Sequence, residues 1–116
     1  MQRLAALATL TLTALTLNAP SSLAASFDCE KPELAPDEKA ICDNRALNDA
    51  DVKMVTTFDL LAGLLAMGAR GTMQDEQSAW LKRRQACGSD VACIRTAYDE
   101  RLKQLTDIYN NLTRPL

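Results

Sequence analysis

Cys87 and Cys93 stand on either side of a Gly88-Ser89-Asp90 corner where two helical patterns meet. No other feature restricts the fold so strongly. The run from Gln77 to Leu105 carries apolar residues at three- and four-residue steps on both sides of that corner. Helices joined by so tight a turn lie antiparallel, and the cysteines flanking it come close enough to be tied. A cysteine-stapled helical hairpin in a chain of 116 residues points to a small domain of an oxidising compartment.

The first residues point the same way. Met1-Gln2-Arg3 is a short positive start, Leu4 to Leu17 is an uncharged apolar stretch, and small residues follow the break at Pro20. This is the three-part form of a secretory leader. Cleavage after Ala24 places Ser22 and Ala24 at the two small positions; cleavage one residue later places Leu23 there and fits less well. The expected organisation is a cleaved leader over 1–24 and one domain over 25–116. Ser26-Phe27-Asp28 before Cys29 lacks the small residue that lipid modification of a cysteine requires, so no stable membrane anchor is expected after cleavage. The expected location is the periplasm or the cell exterior.

Pro32 and Pro36 oppose helix before them, which predicts an extended lead-in segment from Phe27 to Ala35. Pro36 suits a first helical residue, with Asp37 and Glu38 near the positive helix end. Asn44 can cap a second, longer helix with a stripe of Leu47, Met54, Val55, Phe58, Leu61 and Leu65. Gly68 and Gly71 are expected to end it, and Thr72 with Asp75 to start the third. That helix carries Met73, Gln77, Trp80, Leu81, Arg84 and Cys87 on one face, and Trp80 is expected in the core. After Gly88, Asp90 or Ser89 can cap a fourth helix with the stripe Val91, Ile94, Tyr98, Leu102, Leu105, Ile108, Tyr109 and Leu112. No run of β-branched residues alternates with period two. The fold class is therefore all-α, a small disulfide-stapled bundle of three to four helices.

The four cysteines, Cys29, Cys42, Cys87 and Cys93, form no C-x-x-C pair, and the chain has no histidine. Zinc would need all four thiolates without the paired spacing that usually presents them, and the thioredoxin-type motif is missing. Structural disulfides remain, with three connectivities open. The local pairs are preferred, Cys87–Cys93 across the helical corner and Cys29–Cys42 pinning the lead-in segment to the first helix, although a crossed pairing would close longer loops and energy alone does not exclude it. No metal or cofactor is expected.

Three charged residues interrupt apolar stripes: Asp51 between Leu47 and Met54, Arg84 between Trp80 and Cys87, and Arg101 between Tyr98 and Leu105. An isolated buried charge costs several kcal/mol, so Asp51 is expected to meet Arg84 or Arg101 inside the bundle and fix helix register. The absence of histidine removes the usual Ser-His, Cys-His and His-metal arrangements. Neighbouring acids such as Asp37-Glu38, Asp75-Glu76 and Asp99-Glu100 point in different directions on a helix and suit surface charge better than acid–base chemistry. A non-enzymatic protein is expected.

Taken together, these residues form a longer pattern. Asp28-Cys29 is followed by Glu38 with Ile41-Cys42, then Leu47, Asp51 and Phe58. The second half reads Gln77, Trp80-Leu81, Arg84, Cys87-Gly88, Cys93, Tyr98 and Arg101-Leu102. The chain so read resembles the LprI-type lysozyme-inhibitor N-terminal domain, a family of small exported four-cysteine helical domains. The likeness covers nearly all of the chain beyond the leader, and its specific part is Q-x-x-W-L-x-x-R-x-x-C-G. Two positions depart: Phe58 stands where the family usually has Tyr, and Ala35-Pro36 where a Thr-Pro cap is usual. The resemblance implies an exported, non-enzymatic helical domain that binds a protein partner, with lysozyme inhibition the named activity.

Charge agrees with such a partner. Asp28 to Asp59 holds nine acids and four bases, whereas Leu60 to Leu116 holds six acids and eight bases. Lysozymes are commonly strongly basic, and complementary fields steer association. The expected contact surface is Glu30, Glu33, Asp37 and Glu38. The alternative is a structural or accessory envelope protein, or a toxin-neutralising partner, with no lysozyme contact. Acidic balance and scarce aromatics speak against nucleic acid.

Overall fold

The computed structural model describes residues 25–112; the expected leader, 1–24, and residues 113–116 lie outside the described residues. Pro36 opens α1 (Pro36–Asp43), where its fixed φ suits the helix and its missing N–H leaves no intrahelical bond unmade. Glu38 reaches back to accept from the Ala35 N–H at 3.0 Å. That is half of a capping box, because Ala35 has no oxygen to supply the other half. Asn44 ends this helix and caps the next, its side chain accepting from the Leu47 N–H at 3.1 Å. α2 (Arg45–Leu64) then runs for 20 residues.

The third helix begins earlier than Thr72. α3 spans Met67–Ala86, so Gly68, Gly71 and Thr72 lie inside it, and only Leu65 and Ala66 separate it from α2. A helical glycine costs about 1 kcal/mol relative to alanine, too little to stop a helix whose later turns bury Met73 and Trp80. Thr72 does not cap. Its hydroxyl donates back to the Gly68 carbonyl at 3.2 Å, and the Arg70 Nη2 donates to the Leu65 carbonyl at 2.9 Å, satisfying the end of α2. The later corner is as the residues suggest. Gly88 adopts φ +56°, a left-handed turn that glycine takes without a Cβ clash. Asp90 accepts from the Cys93 N–H at 3.1 Å and caps α4 (Val91–Asn110).

All four helices close on one core. Ile41 of α1, Leu47, Met54 and Leu61 of α2, Met73 and Trp80 of α3, and Ile94, Tyr98 and Leu105 of α4 are buried. The Trp80 indole donates to the Ala97 carbonyl at 2.7 Å and meets the Tyr98 ring edge-on, with centroids 5.1 Å apart. Val91 and Tyr109, the outlying members of the fourth stripe, are exposed. Disulfides join Cys29 to Cys42 and Cys87 to Cys93, with Cα separations of 5.8 and 5.6 Å. Over the described residues the fold is thus a four-helix, all-α bundle stapled by two disulfides, and none of these helices is long and apolar enough to cross a membrane.

The half-made cap of α1 yields a test. Ala35→Thr supplies the missing oxygen and should raise stability by about 0.5–1 kcal/mol, read as a higher urea midpoint with an unchanged slope. An unchanged midpoint would mean that Glu38 alone satisfies this helix end.

Candidate functional site

Each helix sends one polar side chain to a common buried point. Arg84 of α3 donates from Nε to Oδ2 of Asp37 on α1 at 2.8 Å. Its Nη1 lies 3.7 Å from Oδ1 of Asp51 on α2 and donates to the Tyr98 hydroxyl of α4 at 3.2 Å. That hydroxyl donates in turn to Asp51 Oδ1 at 2.7 Å. The guanidinium is also flanked by the rings of Phe27 and Trp80, 5.6 and 5.8 Å from their centroids. Asp51 therefore meets Arg84, not Arg101.

The electrostatics follow from burial. Burial works against the Arg84 charge, but Tyr98 and then Asp37 outweigh it, and the guanidinium is held above its ordinary value. Burial, and behind it the Asp51 carboxylate, push the Tyr98 phenol above the usual tyrosine range. Arg101 occupies a separate place further along α4. It donates to Gln77 Oε1 at 2.8 Å, Gln104 Oε1 at 3.0 Å and the Met73 carbonyl at 3.1 Å, and lies 3.5 Å from Glu76. Burial draws its value down, with Glu76 partly offsetting it.

The expected contact surface needs one correction. Asp37 is 1% exposed and paired with Arg84, so it belongs to the interior. Its position in the first turn of a helix looks like a surface acid facing the helix dipole; only the packing of α3 against α1 turns it inward. Glu38 is half-buried and occupied with the Ala35 N–H. Glu30 and Glu33 are exposed, on the non-helical segment that Cys29–Cys42 ties to α1. With Asp37 and Asp51 inside, the surface from Asp28 to Asp59 presents seven acids against four bases. It remains acidic, less so than the residue count suggests.

Two of the surface concavities among the described residues combine apolar walls with exposed side chains. A cleft of about 540 Å³ runs beside the lead-in segment, lined by Leu34, Pro36, Lys39, Ala40, Asp43, Asn44, Ser89 and Val91. At the opposite end of the bundle Thr57, Leu60, Leu61, Leu64, Thr106 and Tyr109 surround a groove of about 280 Å³. Leu60 and Leu64 there are 66% and 63% exposed, and Met67 beyond them 84%. Among the described residues no three Cys, Asp or Glu side chains converge as a metal site requires. Comparison with protein-family models, curated proteins and solved structures finds no match for this chain.

Removing the guanidinium tests the cluster. Arg84→Met leaves two carboxylates buried without their cation and should cost about 3–5 kcal/mol, measured by urea denaturation. Tyr98 gives the pH dependence. The folded state holds the phenol's proton more tightly than the unfolded chain, so this contribution is complete below about pH 10 and fades as pH rises through the folded-state value. Tyr98→Phe should flatten that alkaline limb while costing about 1.5–3 kcal/mol at neutral pH, because Asp51 loses a donor.

Proposed function

We propose that this chain is an exported, non-enzymatic binding domain whose target is a lysozyme or related muramidase, inhibited by protein–protein contact. The observation that carries the reading is the exposed acidic segment bearing Glu30 and Glu33, held against α1 by Cys29–Cys42. A tethered segment loses little conformational freedom on binding, which favours affinity. Beside it, the cleft lined by Leu34, Pro36, Ala40 and Val91 adds an apolar floor to a charged rim, as protein interfaces commonly have. The target's basic surface supplies the complementary charge. The likeness to the LprI-type pattern supports the same class of partner. Two disulfides suit an oxidising, extracytoplasmic compartment, and export through the N-terminal leader belongs to this proposal.

A second reading has its own observation. The exposed apolar side chains Leu60, Leu64 and Met67 lie at the end of the bundle away from the acidic segment. An accessory envelope protein that joins a larger assembly would use such a patch.

Titration of the oxidised, processed protein against several lysozyme classes separates the two. Lytic activity should fall on addition of the protein, and the affinity should weaken as salt is raised. Glu30→Lys with Glu33→Lys should weaken binding at least about tenfold, as reversal of interfacial charges does, with the thermal midpoint unchanged. Neither binding nor inhibition of any class, at low or high salt, removes the lysozyme reading. Pull-down from the periplasm dependent on Leu60, Leu64 and Met67 would then favour the accessory one.

A further inference from the structure

The charges of the buried cluster do not balance. Asp37 and Asp51 are 1% and 0% exposed, and among the described residues Arg84 is the one cation paired with either. Tyr98 contributes a neutral hydroxyl, since burial and Asp51 hold its proton in place. Two buried carboxylates facing one guanidinium leave a negative charge uncompensated, and such a charge is costly. Asp51 has one further partner. The backbone nitrogen of Ser26 donates to its Oδ2 at 2.6 Å, and Ala25 before it is buried. That nitrogen is a neutral amide as long as the peptide bond from Ala25 stands.

The reading of the chain as an exported precursor puts the processing bond before Ala25 or before Ser26. Hydrolysis there adds water across the amide, the new carboxylate departs with the leader, and the nitrogen is left as a protonated α-amine. Cleavage before Ser26 creates that ammonium at the atom already 2.6 Å from Asp51. Cleavage before Ala25 creates it one backbone step, at most about 3.6 Å along the chain, from that atom. Resting on that reading, we infer that the α-ammonium freed by removal of the leader is the second cation of the Asp37–Arg84–Asp51 cluster, so that processing completes the buried charge balance of the domain.

The pH signature is specific. The group facing the terminus is Asp51 from α2; behind it stand Arg84 from α3 and Tyr98 from α4, both against Asp51, and Asp37 from α1, reached through Arg84. Carboxylates and guanidinium groups ordinarily titrate outside pH 7–10, and Tyr98 is pushed upward, away from that range. A free α-amine ordinarily titrates at about 7.7–8.0, and a neighbouring carboxylate raises that value. Its stabilisation is then full below about pH 7.7 and is lost as pH rises through the folded-state value.

The test compares the exported, processed chain with one carrying Gly-Ser-Gly-Ser inserted after Ala24, each with Asp51 and with Asp51→Asn. Intact mass first identifies the mature terminus. An uncleaved leader removes the export reading, and this inference with it; a leader cleaved at any other bond removes the inference alone. With the expected terminus, the processed chain should melt about 5 °C or more above the inserted one at pH 7. The gap should close toward pH 10 and vanish with Asp51→Asn. Should Asp51→Asn fail to fold, NMR titration of the α-amine in the unaltered processed protein decides. A value at least about one unit above 8 is expected, a tenfold gain in proton affinity. Identical melting profiles, a gap that survives Asp51→Asn, or an α-amine titrating at or below about 8 overturns the inference while leaving export and lysozyme binding untouched.

Discussion

The arrangement of the bundle depends on one guanidinium. Arg84 reaches from α3 to Asp37 on α1, Asp51 on α2 and Tyr98 on α4, so a single side chain is held by all the other helices at once. Buried ion pairs add little net stability over apolar packing, but they penalise every arrangement that leaves a charge alone. Sliding any helix by one turn, about 5.4 Å, would strand a carboxylate or the guanidinium in the core. The apolar residues bring the helices together, and the cluster restricts which register they adopt.

The remaining polar and covalent elements divide the molecule. Arg101 ties α4 to the early turns of α3 through Met73, Glu76 and Gln77, away from the Arg84 cluster. Cys87–Cys93 clamps the α3–α4 corner, and Cys29–Cys42 clamps the lead-in segment onto α1. Asp37, Asp51, Arg84 and Arg101 are engaged inside the bundle, whereas Glu30 and Glu33 and the cleft beside them lie on its surface. The buried cluster and the exposed acids of the lead-in segment are different residues, although Cys42 on α1 and Asp37 in its first turn lie within six positions of each other.

Much of the architecture was legible because helices leave a strong local record. Period, caps and the Gly88 corner are properties of neighbouring residues, and Asn44 and Asp90 cap as their positions suggest. Asp51, Arg84 and Arg101 stood out because charge breaks an apolar stripe. Asp37 did not, since an acid in a first helical turn has a ready explanation on the surface. The start of α3 was misplaced for a related reason: Gly68 and Gly71 look like a break, yet burial further along the helix outweighs their small intrinsic cost.

By itself the sequence determined the helices, the core stripes and which residues had to find polar partners, because these follow from spacing and from the cost of burying charge. Tertiary structure alone decided the partners. Asp37 lies 47 positions from Arg84, and Tyr98 lies 47 from Asp51. It also decided that Asp51 accepts from the Ser26 nitrogen, 25 positions before it. Pairings over such separations are set by how four helices pack in three dimensions, and no local pattern along the chain records that.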